Sequence, residues 1–304
     1  MPLVSHILPV WNPRPEWLLP AVRSVLGQVD CELELVIVDD GSDVPVGHLL
    51  TGLADERLRL LRIEHGGVSH ARNAGLANAH GEYVRFVDAD DVLPADSTSR
   101  LLSLAAGSRV VTYGSTTFCD DALRPVWTLR CRVEGNAVEA CLLGRFSVRV
   151  VSMLFPRAVV DAVGRWNPLF RVSGDWDYVL RTLEAAPVRG TESTMAFYRK
   201  HDGSVTDDFG GGEAGGRLVL DQYFRRHPEL RGTRLERRAR AALEATAART
   251  LLSRRRIGDG VTAALRATVR DPASIAAEAR RSVPALAGHV RSRLDPRPPI
   301  AVAP

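Results

Sequence analysis

The stretch Leu33-Glu-Leu-Val-Ile-Val-Asp-Asp-Gly-Ser42 decides how this 304-residue chain is read. Its apolar and β-branched run is a strand, and Asp39-Asp40-Gly41-Ser42 ends it with a turn signal. Residues 4–10 form a shorter apolar run stopped by Pro9 and Asn12, which reads as the preceding buried strand. Between the two, residues 15–28 place Leu18, Leu19, Val22, Val25 and Leu26 at the spacing of an amphipathic helix. Downstream come a third strand over 58–63 and a helix over 68–79 lined by Ala and Leu. A fourth strand over 83–87 ends in Asp88-Ala-Asp-Asp91. Strands and helices alternating at this length imply parallel βαβ units, which place ligands outside the carboxyl ends of their strands. Both acidic turns fall at that edge, so the fold can bring them to one site.

Beyond residue 94 the pattern blurs. Residues 110–117 and 147–155 look like further strands and 176–185 like a helix. Residues 207–216 are polar and glycine-rich, which suggests a linker or loop. The GxGxxG match there (Gly210, Gly212, Gly215) follows no strand and so lacks the context of a dinucleotide fingerprint. From Arg217 onward the chain reads as helical, with Leu235, Ala239, Ala242, Leu243, Thr246 and Thr250 as one face. Asp271-Pro272 looks like a helix N-cap followed by proline at the first helical position. The expected organisation is one α/β domain over 1–209, with a first half to about 95 and a second half to 209. A linker over 210–216 and a helical region over 217–304 follow.

An apolar fraction of 45% and a charged fraction of 25% are ordinary globular values and exclude wholesale disorder. The net charge of +4 is unevenly spread. Residues 217–304 carry 19 Arg against 8 acids, or +11, which leaves −7 on the first 216 residues. An acidic front half suits a metal site and argues against a nucleic-acid groove. The basic helices are read as docked on the α/β domain, with a homodimer or an anionic membrane surface as alternative partners. Cys31, Cys119, Cys131 and Cys141 share no CxxC spacing, and neither a secretion signal nor a membrane span is legible. Reduced thiols and a cytoplasmic location, peripheral at the membrane if the basic helices bind it, are the expectation.

Five groups of residues can carry chemistry. Asp88 and Asp90 offer hard oxygen ligands to Mg²⁺ or Mn²⁺ with room left for phosphate oxygens, or form a solvated turn. Asp40 can accept from a base N–H or a ribose hydroxyl, or close a turn with Gly41. The pair Gly66-Gly67 permits close approach of backbone to ligand, and Arg72 can grip phosphate or stand exposed on its helix. Asp175 is either a general base or, like Ser173, a helix cap. His201 in Tyr198-Arg-Lys-His201 can bind phosphate, complete a metal site or serve structure alone.

The order of these groups carries more than any one of them. Val4-Ser-His-Ile-Leu-Pro-Val-Trp-Asn12, Leu35-Val-Ile-Val-Asp-Asp-Gly-Ser42, Gly67-Val-Ser-His-Ala-Arg-Asn-Ala-Gly75 and Gly81-Glu-Tyr-Val-Arg-Phe-Val-Asp-Ala-Asp-Asp91 closely resemble successive motifs of family 2 glycosyltransferases. Gly174-Asp-Trp-Asp-Tyr-Val-Leu-Arg181 and Tyr198-Arg-Lys-His-Asp-Gly-Ser-Val205 resemble the family's later, acceptor-side motifs. The resemblance runs from about residue 3 to 206. It implies an α/β GT-A fold with a mostly parallel central sheet, a nucleotide-sugar donor (a UDP-sugar first), a divalent metal, and inversion at the anomeric carbon. The acceptor is left open: a glycan, a lipid-linked carrier or a small molecule.

Residue by residue, the resemblance puts Pro9 and Trp11 on the donor side, Trp11 where the family usually stacks a tyrosine on the base. Asp40 falls where a carboxylate reads the base, and Arg72 where a basic residue helps hold the nucleotide. His201 joins the donor-binding set. Asp88 and Asp90 match the DxD motif, with Asp90 the direct metal ligand and Asp88 more a ribose and metal-water contact. Asp175 matches the catalytic base. Two positions depart from the pattern. Gly174 stands where many members have Glu, and Trp11 keeps a stacking face but changes its polar tip. The processive QxxRW signature is absent, which favours single-sugar transfer. Two other classes fit less well. A nucleotidyltransferase would need a glycine-rich, lysine-bearing loop near the start, and a non-catalytic binding protein would not need both Asp90 and Asp175.

Overall fold

The apolar run around Val36 is buried from Leu35 to Asp40 because it lies inside a sheet with both faces covered. A computed structural model describes residues 1–201, 209–273 and Ile300. The first half of the chain forms β1 (Leu3–Val10), α1 (Pro15–Leu26), β2 (Glu32–Asp40), β3 (Leu58–Ile63), α2 (Val68–Ala77) and β4 (Tyr83–Phe86). The second half continues with α3 (Ser97–Ala105), β5 (Val111–Cys119), β6 (Pro125–Leu129), α4 (Val138–Leu142), β7 (Met153–Pro156) and α5 (Arg157–Val163). There follow α6 (Gly174–Ala185), β8 (Val188–Arg199), α7 (Phe209–Arg226), α8 (Arg234–Ser253) and α9 (Ile257–Arg270).

The strands make one sheet in the order β3-β2-β1-β4-β7-β5-β6, with β8 paired to β5. Pairing is parallel from β3 through β4 and turns antiparallel at β7. Register aligns Val10 of β1 with Asp39 of β2, so both strands deliver their carboxyl ends to the same edge. Pro9 lacks a donor in a central strand, yet the ladder with β4 stops at Ile7–Phe86, so no hydrogen bond is lost there. Helix α2 lies close on β1 because Gly75 presents no side chain; a Cβ there would run into the side chain of Ile7. The largest core gathers Phe86, Phe155, Trp166, Tyr178 and Phe224 between the sheet and the later helices.

Three expectations are corrected. Residues 210–216 are not a linker but part of α7. Their glycines serve packing: a Cβ at Gly215 would lie 2.7 Å from the Val172 carbonyl oxygen, and one at Gly216 2.8 Å from Leu243. Residues 147–155 are not one strand; a 3₁₀ turn over Val150–Ser152 precedes the short β7. The buried side of α8 is also rotated from the expected face. It comprises Ala239, Ala241, Glu244, Ala247, Ala248 and Leu251, because α8 packs on α7 and α9 at once. Asp271 follows α9 as its C-cap, and the helix expected after Pro272 lies almost wholly outside the described residues. Among the described residues no helix is long and apolar enough to cross a membrane, and the four cysteines are free.

A buried polar knot fastens β1, β4 and α3. Arg85 of β4 is fully buried and donates to Ser97 Oγ at 2.8 Å and Thr98 Oγ1 at 2.9 Å. His6 of β1 pairs with Thr98 Oγ1 at 3.1 Å. Burial, with the Arg85 charge second, pushes the His6 imidazole down to about 3. The folded state therefore refuses a proton that the unfolded chain takes up below its ordinary pKa of about 6.5. Stability from this group is complete above that pH and is lost as pH falls toward 3. Urea unfolding should show a slope of about 1 kcal/mol per pH unit between pH 6 and 4 that His6→Gln flattens. An unchanged slope in the variant would contradict the assignment.

Candidate active site

The site grows from the end of β4. Asp88, Ala89 and Asp90 leave the sheet partly exposed, whereas Asp91 turns inward and is fully buried. Across from them stands Arg72 of α2, only 3% exposed. Its Nη2 donates to Asp88 Oδ1 at 2.8 Å and its Nη1 to Asp175 Oδ1 at 2.5 Å. Burial works against the Arg72 charge, but the carboxylates of Asp175 and Asp88 outweigh it and hold the guanidinium firmly protonated. The Asp88 carboxyl is pushed up, first by burial and then by Asp175 and Asp90, against the pull of Arg72. The guanidinium lies 4.3 Å over the Trp166 ring, which stacks in turn on Tyr178 of α6 at 4.1 Å.

Asp175 is the second residue of α6, where the helix dipole favours a negative charge. Ser173 holds the N-cap position in the left-handed region, φ 69°, and makes no side-chain capping bond. The capping alternative for Ser173 therefore fails, and Asp175 spends its Oδ1 on Arg72 across the cleft. Its side chain remains 47% exposed. A Cβ at Gly174 would meet Phe170 and Ser69 at an ordinary 3.5 Å, so packing does not demand glycine there.

A second cluster adjoins the first. Asp90 Oδ2 lies 2.9 Å from His201 Nε2, and the imidazole packs tilted against Trp17 of α1, ring centres 4.0 Å apart. Arg199, at the end of β8, pins the acidic turn from behind. Its backbone N–H donates to Asp91 Oδ1 and its Nε to the Asp90 carbonyl, both at 3.0 Å, and its guanidinium reaches the Asp121 carbonyl. Burial, with Asp90 and Asp88 next in effect, pushes the Asp91 carboxyl well up. Its Oδ2 is buried without a hydrogen-bond partner.

The third group lies at the ends of β1 and β2. Trp11 is 55% exposed and stacks on His65 at 4.7 Å. Asp40 is buried: its Oδ1 accepts from the Gly66 N–H at 2.9 Å, its Oδ2 from the Gly67 N–H at 2.8 Å, and His65 Nδ1 sits 2.9 Å away. The structure thus places Asp40 as the anchor of the 65–67 loop, with both oxygens engaged. Arg72, likewise, is neither exposed nor free to reach outward; its two donors hold carboxylates. His65, Trp17 and Trp166 were not among the residues singled out from sequence, and Arg199 stood there only within the Tyr198-Arg-Lys-His201 cluster. The placement of His65 directly before Gly66-Gly67 was the only local hint to the first three.

For a divalent cation, Asp90 and His201 supply an oxygen and an imidazole nitrogen close together, with Asp88 beside them, a donor set that suits Mn²⁺ or Mg²⁺. Among the described residues no three His, Cys, Asp or Glu side chains close around one point. The residues fit an ion whose shell is completed by phosphate oxygens and water, the usual manner of Mg²⁺-type sites.

A parallel sheet that turns antiparallel at β7, with its acidic turn at the carboxyl edge and helices after β8, is the GT-A architecture. *Staphylococcus aureus* TarS, residues 1–349 in complex with UDP-GlcNAc, superposes with a TM-score of 0.59 at 14% identity, covering 90% of this chain and 92% of that one. Residues 5–151 match the profile of glycosyl transferase family 2. The *Bacillus subtilis* glycosyltransferase EpsJ is 34% identical over 224 residues, which covers 68% of this chain and 64% of EpsJ. A *Haemophilus influenzae* glycosyltransferase is 33% identical over 143 residues, covering 46% of this chain and 52% of that protein. The chain thus spans between half and two thirds of the length of these two relatives.

Removing one partner of a buried ion pair strands the other charge. Arg72→Gln should lower the unfolding free energy by about 2 kcal/mol, below the usual cost because solvent reaches Asp175. Asp175→Asn, which leaves an acceptor for Arg72, should cost clearly less. Urea midpoints at constant m-value check both, and equal losses would show that Arg72 does not hold the two carboxylates together.

Proposed function

We propose that the chain transfers a sugar from a nucleotide diphosphate donor to an acceptor hydroxyl, with inversion, and that Asp175 is the general base. The observation that supports this best is the shared guanidinium: Arg72 holds Asp88 at 2.8 Å and Asp175 at 2.5 Å, so the strand-end carboxylates and the helix-borne carboxylate flank one cleft. The half-exposed Asp175 is open to an incoming hydroxyl. The TarS complexes with UDP and UDP-GlcNAc, alike in fold, favour a uridine diphosphate donor as the first to test.

In this reading the exposed face of Trp11, backed by His65, stacks on the base, and Pro9 ends the strand beneath it. Asp40 acts on the base through the loop it anchors. Asp90 and His201 would hold a divalent cation, Mn²⁺ or Mg²⁺, with Asp88 contacting the ribose and metal-bound water. Such an ion offsets the charge that builds on the departing diphosphate. The acceptor oxygen attacks the anomeric carbon from the face opposite the diphosphate, and its proton passes to Asp175. The bond from carbon to the diphosphate oxygen breaks, its electron pair leaves with the nucleoside diphosphate, and the centre inverts. Arg72 positions both carboxylates throughout.

Asp175→Asn should retain donor binding and lose transfer by about 10²–10⁴-fold. Asp90→Ala should instead weaken donor binding in Mn²⁺ and change it little in chelator. Calorimetry with UDP-sugars and a transfer assay against an acceptor panel separate the two. Transfer at the wild-type rate by Asp175→Asn would remove it from the role of base, and a retained anomeric configuration in the product would exclude the single displacement.

A further inference from the structure

Helix α9 buries one side and leaves the other apolar and open. Gly260, Ala263 and Ala267 face α8, and a Cβ at Gly260 would lie 2.7 Å from the Leu252 side chain. On the other side Ile257, Val261, Leu265 and Val269 recur every fourth residue and are 59%, 48%, 61% and 83% exposed. They form a stripe about 18 Å long at 1.5 Å per residue. Leu252, 41% exposed at the end of α8, lies near its start. A soluble helix in a monomer normally turns this face inward.

Arginines border the stripe. Arg254, Arg255 and Arg256 stand exposed in the turn that enters α9, and Arg266 and Arg270 are exposed along it. Asp259 is the single acid on the helix, and it pairs with Arg256 at 2.5 Å. An apolar stripe between cationic borders matches a lipid surface with anionic headgroups. It does not match itself. A two-fold pairing of this face would bring the Arg254–Arg256 triplet of one copy to the Arg266 and Arg270 end of the other, where Glu213 and Glu244 are already paired and α9 offers no further acid to meet it.

We infer that α9 docks the protein in plane on an anionic membrane surface, its Ile257–Val261–Leu265–Val269 stripe entering the headgroup layer. The surface is joined to the Asp175 side of the site. Arg266 reaches Glu213 of α7 at 3.8 Å, and Gly215 of α7 packs on Val172 and Ser173, just before Asp175. Docking does not depend on sugar transfer, so it is tested without an activity assay.

The full chain is sedimented with vesicles of phosphatidylcholine and phosphatidylglycerol at roughly 3:1, and with phosphatidylcholine alone. Binding should require the anionic lipid and weaken at 0.5 M salt, by about tenfold or more. Leu265→Gln with Val269→Gln, both at exposed positions, should keep the wild-type melting temperature and lose binding by about tenfold. Arg254→Gln with Arg255→Gln should weaken binding and its salt dependence together. Equal binding by the Leu265/Val269 variant, or no binding of the wild type to anionic vesicles, overturns the proposal. So does a wild-type dimer that this variant converts to monomer, since the stripe would then belong to a second copy.

Discussion

Everything at the site depends on a buried arginine that two parts of the chain must satisfy. A guanidinium 3% exposed is costly to bury without partners, and Arg72 finds its counter-charges just after β4 and on α6, 16 and 103 residues away in sequence. The dependence is mutual. Asp88 and Asp175 face the same cleft, and burial first, with Asp175 and Asp90 adding to it, pushes the Asp88 carboxyl up even with Arg72 beside it. Trp166 completes the arrangement by filling the layer between Arg72 and Tyr178. Helix α2, strand β4 and helix α6 are thereby held in one relation by three charges and two rings.

The change of direction at β7 does comparable work for the second cluster. Strand β7 runs against β4, β5 runs against β7, and β8 runs with β5. Two reversals return β8 to the direction of β4, so its carboxyl end arrives at the edge where Asp88 and Asp90 emerge. This is how Arg199 and His201 meet an acidic turn 108 to 111 residues earlier. An all-parallel continuation would have needed another long crossover for the same result.

Strands β1 to β4 were legible because each is a short apolar run closed by a turn signal, and the expected bounds of 58–63 for β3 hold without change. Strand β8 was not. Its middle, Thr191-Glu-Ser-Thr194, is half-buried and polar, so neither an apolar run nor a clean alternation marks it. The glycines of 210–216 misled for a related reason. Local propensity makes them a linker, while the close approach of α7 to Ser173 and Leu243 makes them helix. The same split runs through the site. Carboxylates at strand ends could be picked out one at a time, but which cation each one faces is a long-range fact. Asp40 shows it well: a carboxylate suited to a base is, in the fold, engaged through both oxygens by two backbone donors of the 65–67 loop.

The charge balance at this edge bears on the donor. Asp88, Asp90 and Asp175 meet the side chains of Arg72 and His201, while Arg199 spends its fork on the Asp90 and Asp121 carbonyls. Four carboxylates, those of Asp88, Asp90, Asp91 and Asp175, stand against the two guanidinium groups of Arg72 and Arg199, so the field there is net negative. A diphosphate entering such a field is repelled unless further positive charge comes with it. Arg72 cannot supply that charge without releasing Asp88 or Asp175, and either release would break the relation between α2, β4 and α6. A divalent ion held by Asp90 and His201 would supply that charge without moving any helix, and this is the physical ground for the proposal that the donor binds as its metal complex.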